Sequence, residues 1–316
     1  MRPETGKLRV GVIGVGYLGR FHAEKYAAME DVDLVGVVDL DTSLAQKIAE
    51  SLKTDVYQDY QRLIGEVDAA SIVTTTSAHY RIGRDLLTHG VDVLIEKPIT
   101  ETVDQADELI QLAEQNGRIL QVGHLERFNP AFIAVKDRVR HPLLIESCRK
   151  CIFKKRGTDV SVVLDMMIHD IDLVLSLVHS EITGLKAAGM RLASGFLDVA
   201  NVHLEFAEGC AANLIASRIA SANERIMDIF QPKARIAIDF SEQKSTIVRK
   251  KQTARGESDS DISMETLPHR KGDALREELK AFVRSVNTRE TPVVNGEMGR
   301  NALKVALDIM MQIEGK

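Results

Sequence analysis

Gly14, Gly16 and Gly19 form a Gly-x-Gly-x-x-Gly between the apolar run Leu8–Ile13 and the start of a helical pattern. In that context the first glycine permits a tight turn and the second lets the main chain approach a pyrophosphate. The third allows close contact between helix and strand. The helix behind the loop offers its first-turn N–H groups to the phosphates. Tyr17 and Leu18 lie inside the loop and share its contact with the ligand. Asp39 stands 20 residues after Gly19, at the end of a second apolar run. A carboxylate there binds both ribose hydroxyls of NAD and repels a 2′-phosphate. Neither Arg nor Lys directly follows Asp39, so the expected cofactor is NAD rather than NADP.

Glu96-Lys97-Pro98 directly follows the strand pattern Val91–Ile95. In open parallel sheets ligands bind outside the carboxyl ends of the strands, so Lys97 is placed to reach both a nicotinamide and a substrate. Pro98 fixes the backbone behind it. The plainer alternative is a surface lysine capping a strand. Asp165, His169 and Asp172 are spaced by four and three within the apolar run Val162–Val178, which puts them on one helix face. Ionisable groups on such a helix are unfavourable unless paired. An aspartate can orient an imidazole and raise its basicity for general-base work, although a purely structural Asp–His pair has the same spacing. Lys97 and His169 are thus two candidates for a base. A cationic Lys97 would instead stabilise a developing alkoxide.

The elements that must carry these groups are legible in outline. Strand patterns at Leu8–Ile13, Leu34–Val38, Ala69–Val73, Val91–Ile95 and Arg118–Val122 alternate with amphipathic helices. Thr102 and Gln105 have capping-box spacing at the start of one of them. This predicts a doubly wound parallel sheet, a Rossmann-type α/β domain over residues 1–123. Thr74, Thr75 and His79 fall in the turn after the third strand and are expected near the cofactor, with Glu96. His22, on the first helix, reads as packing.

After Gly123 the pattern changes. Helices are expected over Pro130–Arg140, Val162–Val178, Ala274–Asn287 and Met298–Ile313. Strands are expected at Ile145–Phe153, Leu185–Met190, Val199–Phe206, Ala211–Ala216, Arg225–Ile229 and Arg235–Ile238, and a polar loop or mobile hairpin over Lys250–Glu265. Residues 124–316 therefore read as an α+β domain with a largely antiparallel open sheet, serving substrate binding and oligomerisation. His124 sits at the joint, within reach of a substrate, and like His79 it also reads as a hydrogen-bonded structural histidine.

Composition removes several function classes. Of 316 residues, 44% are apolar and 28% charged, with a net charge of −5 and no Trp, so a basic nucleic-acid footprint is missing. No apolar run is long enough to span a membrane. The apolar stretch Val10–Gly19 behind Lys7 and Arg9 mimics a signal-peptide core, but its spaced glycines and the lack of a clean cleavage site argue against one. Three cysteines make no disulfide framework and fit a reducing cytoplasm. Cys148-x-x-Cys151 has no second ligand pair, so no metal site is expected.

Taken together, the glycine loop, Glu96-Lys97-Pro98 and Asp165-x-x-x-His169 resemble the Gfo/Idh/MocA family of sugar and cyclitol oxidoreductases, over nearly the whole chain. The resemblance implies that Lys97, Asp165 and His169 surround the reacting carbinol, with the nicotinamide between the domains. It also implies a homodimer or homotetramer. Ser161-Val162-Val163-Leu164 departs from the glycine-rich lead that the family often has into this helix. A narrower resemblance, through Gly123–Ala131 and Arg156–Asp172, is to the branch that oxidises the 3-hydroxyl of UDP-N-acetylglucosamine or its uronic acid. That branch feeds a 3-keto sugar to an aminotransferase, one use being lipid A. On this reading His124, Arg127, Asn129 and Arg156 join Asp165 and His169 around a nucleotide-sugar substrate. Arg127 and the run Lys154-Lys155-Arg156 would meet its pyrophosphate, unless the run is a solvated basic edge. An inositol or free-sugar dehydrogenase and a non-catalytic NAD-binding sensor are the alternatives.

Overall fold

Continuous apolar runs build the first sheet. The computed structural model describes residues 6–154, 157–250 and 262–315. β1 (Leu8–Ile13), β2 (Val32–Val38), β3 (Asp55–Tyr57), β4 (Ala69–Ile72), β5 (Asp92–Glu96) and β6 (Leu120–Gly123) pair in parallel in the order β3-β2-β1-β4-β5-β6. Every residue of β4, β5 and β6 is buried, as a sheet covered on both faces requires. α1 (Tyr17–Ala27), α2 (Thr42–Leu52), α3 (Thr76–Thr88) and α4 (Val103–Gln115) make the crossovers. Asp41 caps α2 by accepting from Leu44 N at 3.0 Å, and Thr102 caps α4 by accepting from Gln105 N at 3.3 Å. β3 is too short to show a period in its sequence. α3 starts at Thr76 rather than at the apolar Ile82, because Thr75 already has the extended backbone of an N-cap.

The second unit begins with a 3₁₀ turn, Leu125–Phe128, followed by α5 (Pro130–Lys136) and β7 (Leu144–Lys150). A π-helical turn over Val163–Met167 leads into α6 (Ile168–Leu177). β8 (Ile182–Met190), β9 (Val199–Phe206), β10 (Ala211–Ser217), β11 (Glu224–Gln231), β12 (Ala234–Asp239), β13 (Lys244–Lys250) and β14 (Ile262–Thr266) complete it. The sheet runs β14-β13-β12-β11-β7-β10-β9-β8, antiparallel except where β10 lies parallel to β7. Alternation is clear along β9 and β10: Val202, Leu204, Ala212 and Leu214 are buried while their neighbours are not. β13 and β14 pair antiparallel, in line with the hairpin alternative for Lys250–Glu265, and residues 251–261 lie outside those described. Ser245 and Ile247 face inward from β13. α5 also stops short of the expected Arg140.

The chain then returns. α7 (Ala274–Thr288) and α8 (Gly296–Glu314) close the fold, and Leu275–Leu303 clusters with the first unit, whose N-terminal part extends to His124. The reason lies at the edge of the first sheet: Val122 N donates to Val294 O at 3.0 Å, and Gln121 Nε2 donates to Glu278 O at 3.2 Å. Gly299 lets α8 approach Val122, against which a Cβ would lie 2.6 Å away. Among the described residues no helix is long and apolar enough to cross a membrane.

Asp198, fully buried in front of β9, organises the turn behind β8. Its carboxylate accepts from Leu192 N at 2.8 Å, Ala193 N at 2.7 Å and Ser194 N at 3.0 Å, and from Ser194 Oγ at 2.7 Å. Burial alone would push its pKa up, but these donors outweigh it and hold the carboxyl far below the usual range. A depressed folded-state pKa stabilises above the unfolded value and is lost as pH falls. Asp198→Asn is therefore expected to lower stability by about 2 kcal/mol at neutral pH. The gap to wild type should narrow below about pH 4, read from urea midpoints across a pH series. A gap that stays constant with pH would refute the assignment.

Candidate functional site

The first group of candidate residues is built at the carboxyl ends of β1, β2, β4 and β5. Gly14 has φ +86°, a conformation that favours glycine, and a Cβ on it would lie 2.5 Å from Val73 O. A Cβ on Gly19 would overlap the Gly14 carbonyl oxygen, whereas one on Gly16 would meet nothing within 4 Å. Two glycines thus serve packing and the third faces open space, which is the room a pyrophosphate needs. Gly16 is the N-cap of α1 and supplies no side-chain cap, so the first-turn N–H groups suit an anion. Tyr17 is exposed and Leu18 half-buried beside them. Asp39 is half-buried, with Oδ2 accepting Val15 N at 2.7 Å and Oδ1 accepting Asp41 N at 2.9 Å. The loop and the acid are thereby locked to one another. These residues fit a dinucleotide.

Lys97 is half-buried just past β5, and its peptide bond to Pro98 is cis. Two buried histidines brace the segment. His79 Nδ1 lies 2.9 Å from Pro98 O, and its Nε2 lies 3.1 Å from Thr74 O. Burial holds its pKa below the ordinary imidazole value against the pull of both carbonyls, and a neutral ring donates to one of them at a time. His79 therefore ties the turn at Thr74 and Thr75 to Pro98, the hydrogen-bonded structural role that is its alternative reading. Glu96 is held in the same way. Its Oε1 lies 3.2 Å from His22 Nε2, and its Oε2 accepts Lys97 N at 3.2 Å. Burial opposes the charge, yet His22 and Lys97 keep the carboxyl below its usual range. A Cβ on Gly123 would lie 2.7 Å from this carboxylate. His22 is thus more than packing, and the residue type on the inner face of α1 is the signal for it. His124 is buried at the end of this unit.

A second group of candidate residues lies in the other unit. Asp165 sits in the π-turn, where Ile168 N bonds Val163 O, and His169 opens α6. The expected uninterrupted α-helix is therefore broken between them, and strict i,i+4 geometry does not describe the pair; π-turns of this kind are frequent at functional sites. Both residues are half-buried. Gly157, at φ +73°, leaves room beside Asp165, since a Cβ there would lie 3.2 Å from Oδ2. Buried Arg218, which the sequence did not single out, anchors this loop by donating to Gly157 O and, at 2.7 Å, to Val160 O.

Arg127 and Asn129 are committed internally. Arg127 donates to Asp172 from Nε at 2.6 Å and from Nη2 at 3.1 Å. Asn129, only 5% exposed, accepts from Ala131 N as the cap of α5 and donates to Glu126 and Phe240 O, each at 3.1 Å. The fork of the arginine and the amide of the asparagine are thus matched within this unit, and a substrate contact by either stays a proposal. Arg156 and Lys155 lie outside the described residues, and Lys154 is exposed.

Comparison with known proteins gives a consistent pattern. The family model for the Gfo/Idh/MocA oxidoreductase family, NAD-binding Rossmann fold, matches residues 8–124, and the model for its C-terminal domain matches residues 140–240. UDP-N-acetylglucosamine 3-dehydrogenase of Acidithiobacillus ferrooxidans is 35% identical over 309 residues, covering 97% of each chain. Its crystal structure superposes with a TM-score of 0.91 over 98% of both chains. Myo-inositol 2-dehydrogenase of Thermotoga maritima is 29% identical, covering 98% of this chain and 97% of the relative. Scyllo-inositol dehydrogenase of Lactobacillus casei, solved with NAD(H) and scyllo-inositol, is 21% identical with a TM-score of 0.81, a likeness of fold.

The glycines separate stability from binding. Gly19→Ala is expected to destabilise by about 3 kcal/mol, because backbone must move to admit the methyl. Gly16→Ala should leave the urea midpoint unchanged and weaken NAD roughly tenfold, about 1.4 kcal/mol, by calorimetric titration. Loss of stability at Gly16 without loss of NAD affinity would overturn this division.

Proposed function

We propose that this chain, which belongs to the Gfo/Idh/MocA family of oxidoreductases, oxidises the 3-hydroxyl of UDP-N-acetylglucosamine, or of its uronic acid, to a ketone. It is an oxidoreductase with a NAD-binding Rossmann domain, and NAD is its cofactor. The observation that carries the substrate assignment is 35% identity across 97% of both chains to an enzyme named for that reaction.

The residues divide the work. The Gly14–Gly19 loop and the N-terminus of α1 bind the pyrophosphate, and Asp39 binds the ribose hydroxyls. When bound, NAD accepts the hydride released from the carbinol carbon. His169, beside Asp165 and half-buried, is assigned the hydroxyl proton, with Lys97 the second candidate. Asp165 orients His169. Lys97, cationic, stabilises the alkoxide as charge develops on the oxygen. His22, Glu96 and His79 hold the Lys97 segment in place.

The three cysteines are free thiols, which fits a reducing cytoplasm. The outer face of the second sheet leaves Leu144, Ile215, Ile226 and Phe230 half-buried, and we assign homodimer or homotetramer contacts to it. A 3-keto nucleotide sugar is the substrate type of an aminotransferase, and 3-amino sugars for lipid A are one destination.

The test is NADH formation from NAD and UDP-N-acetylglucosamine, with hydroxylamine present to trap the ketone and pull an uphill oxidation forward. Free N-acetylglucosamine and myo-inositol run beside it. Turnover is expected with the UDP sugar alone. Lys97→Met should reduce kcat roughly a hundredfold while NAD binding persists. Turnover only with inositol would move the chain to the cyclitol dehydrogenases. Binding of NAD without turnover of any of these substrates would favour a sensor.

A further inference from the structure

We infer that Arg149 is a positioning residue for His169, acting through Asp170 and Glu126 without touching substrate. The inference rests on the role of His169 proposed above. Arg149 points inward from β7 and is 3% exposed. Its Nη1 donates to Glu126 Oε1 at 2.7 Å, its Nη2 to Asp170 Oδ1 at 2.8 Å, and its Nε to Asp170 Oδ2 at 3.0 Å. Glu126 and Asp170 are themselves 7% and 2% exposed. One planar fork therefore grips two buried carboxylates from two different elements. Burial works against all three charges. The two acids outweigh it for Arg149, whose pKa rises, while burial outweighs the arginine for Asp170, whose carboxyl is pushed up.

The connection to His169 follows from position on α6. Asp170 is the next residue, about 100° round the helix. Asp172, three residues after His169, is gripped by Arg127, which like Glu126 belongs to the 3₁₀ turn Leu125–Phe128. Two arginines thus pin the rotation of α6 at positions on either side of the face that carries His169. The π-turn before it has lost the regular ladder that would otherwise fix this face. Glu126 is in turn fixed by Asn129 at 3.1 Å. Rotation of the helix by a few degrees would displace the imidazole, and small misplacements of a reacting group are severe. A lysine at this position keeps the charge but cannot reach both acids as a fork.

Arg149→Lys tests the inference. We expect kcat to fall ten- to hundredfold with the NADH-forming substrate, while KM for the sugar and the affinity for NAD stay within about threefold. A second variant, Arg149→Met with Glu126→Gln and Asp170→Asn, removes the buried charges together and guards against simple unfolding. It too should fold and remain slow. A third readout does not need turnover: the His169 imidazole resonance, assigned by His169→Gln, should broaden or split in Arg149→Lys while that of His203 stays put. If the wild-type chain turns over no sugar or cyclitol, the proposed reaction fails and the imidazole resonance alone decides the positioning role. Near wild-type kcat in a folded Arg149→Lys, or an unchanged His169 resonance, would overturn the inference. So would kcat, KM and NAD affinity all failing in proportion to lost stability.

Discussion

A charge removed from water must be answered by another charge or by a set of dipoles, and that requirement organises the second unit. Four buried carboxylates show the range of answers. Glu126 and Asp170 share Arg149, Asp172 takes Arg127, and Asp198 takes three main-chain N–H groups and a serine. Each answer ties together stretches of chain that apolar packing alone would leave free to slide. Apolar contacts are non-directional, so the very apolar surface of α6 could accept several rotations of the helix. A bidentate arginine accepts one.

The first unit obeys a different constraint, set by sterics more than by charge. The Gly19 Cα rests against the Gly14 carbonyl, and Gly14 against Val73 O. Such close approach is possible only where two side chains are absent. It sets the start of α1 directly beyond β1, with first-turn N–H groups at the point where the loop opens. Asp39 then holds the loop through Val15 N. This economy explains why the dinucleotide half is so legible in the sequence. Its determinants are local, they sit between a strand and a helix, and glycine has few other reasons to recur at that spacing.

Legibility fails where partners are distant in the chain or where a motif residue turns inward. His22 and Glu96 meet across the interior of the first unit, and periodicity identifies His22 only as an inward-facing residue of α1. Arg149 lies in a strand whose alternation marks it as inward, yet a lone inward arginine says nothing about which acids will meet it. Arg218 is the same case. Arg127 and Asn129 illustrate the opposite case. They belong to a recognisable stretch, and both are absorbed by capping and ion pairing. β14 shows weakly in the sequence because its residues are mostly exposed and hydrogen bonds to β13 define it.

The histidines sharpen this last point. His79 and His169 are both candidates from sequence, whereas His22 reads as packing. The structure distinguishes them by what surrounds the ring. His22 is sealed against a buried carboxylate, and His79 spans two main-chain carbonyls with its proton affinity lowered by burial. His169 alone of the three is half-buried, on a helix whose rotation is fixed by neighbouring acids. A group that exchanges protons with a substrate needs one accessible edge and one fixed orientation. In this fold the residues that secure the orientation are charged, distant in sequence and inaccessible, so the chemistry is advertised by a short motif while its precision is written elsewhere.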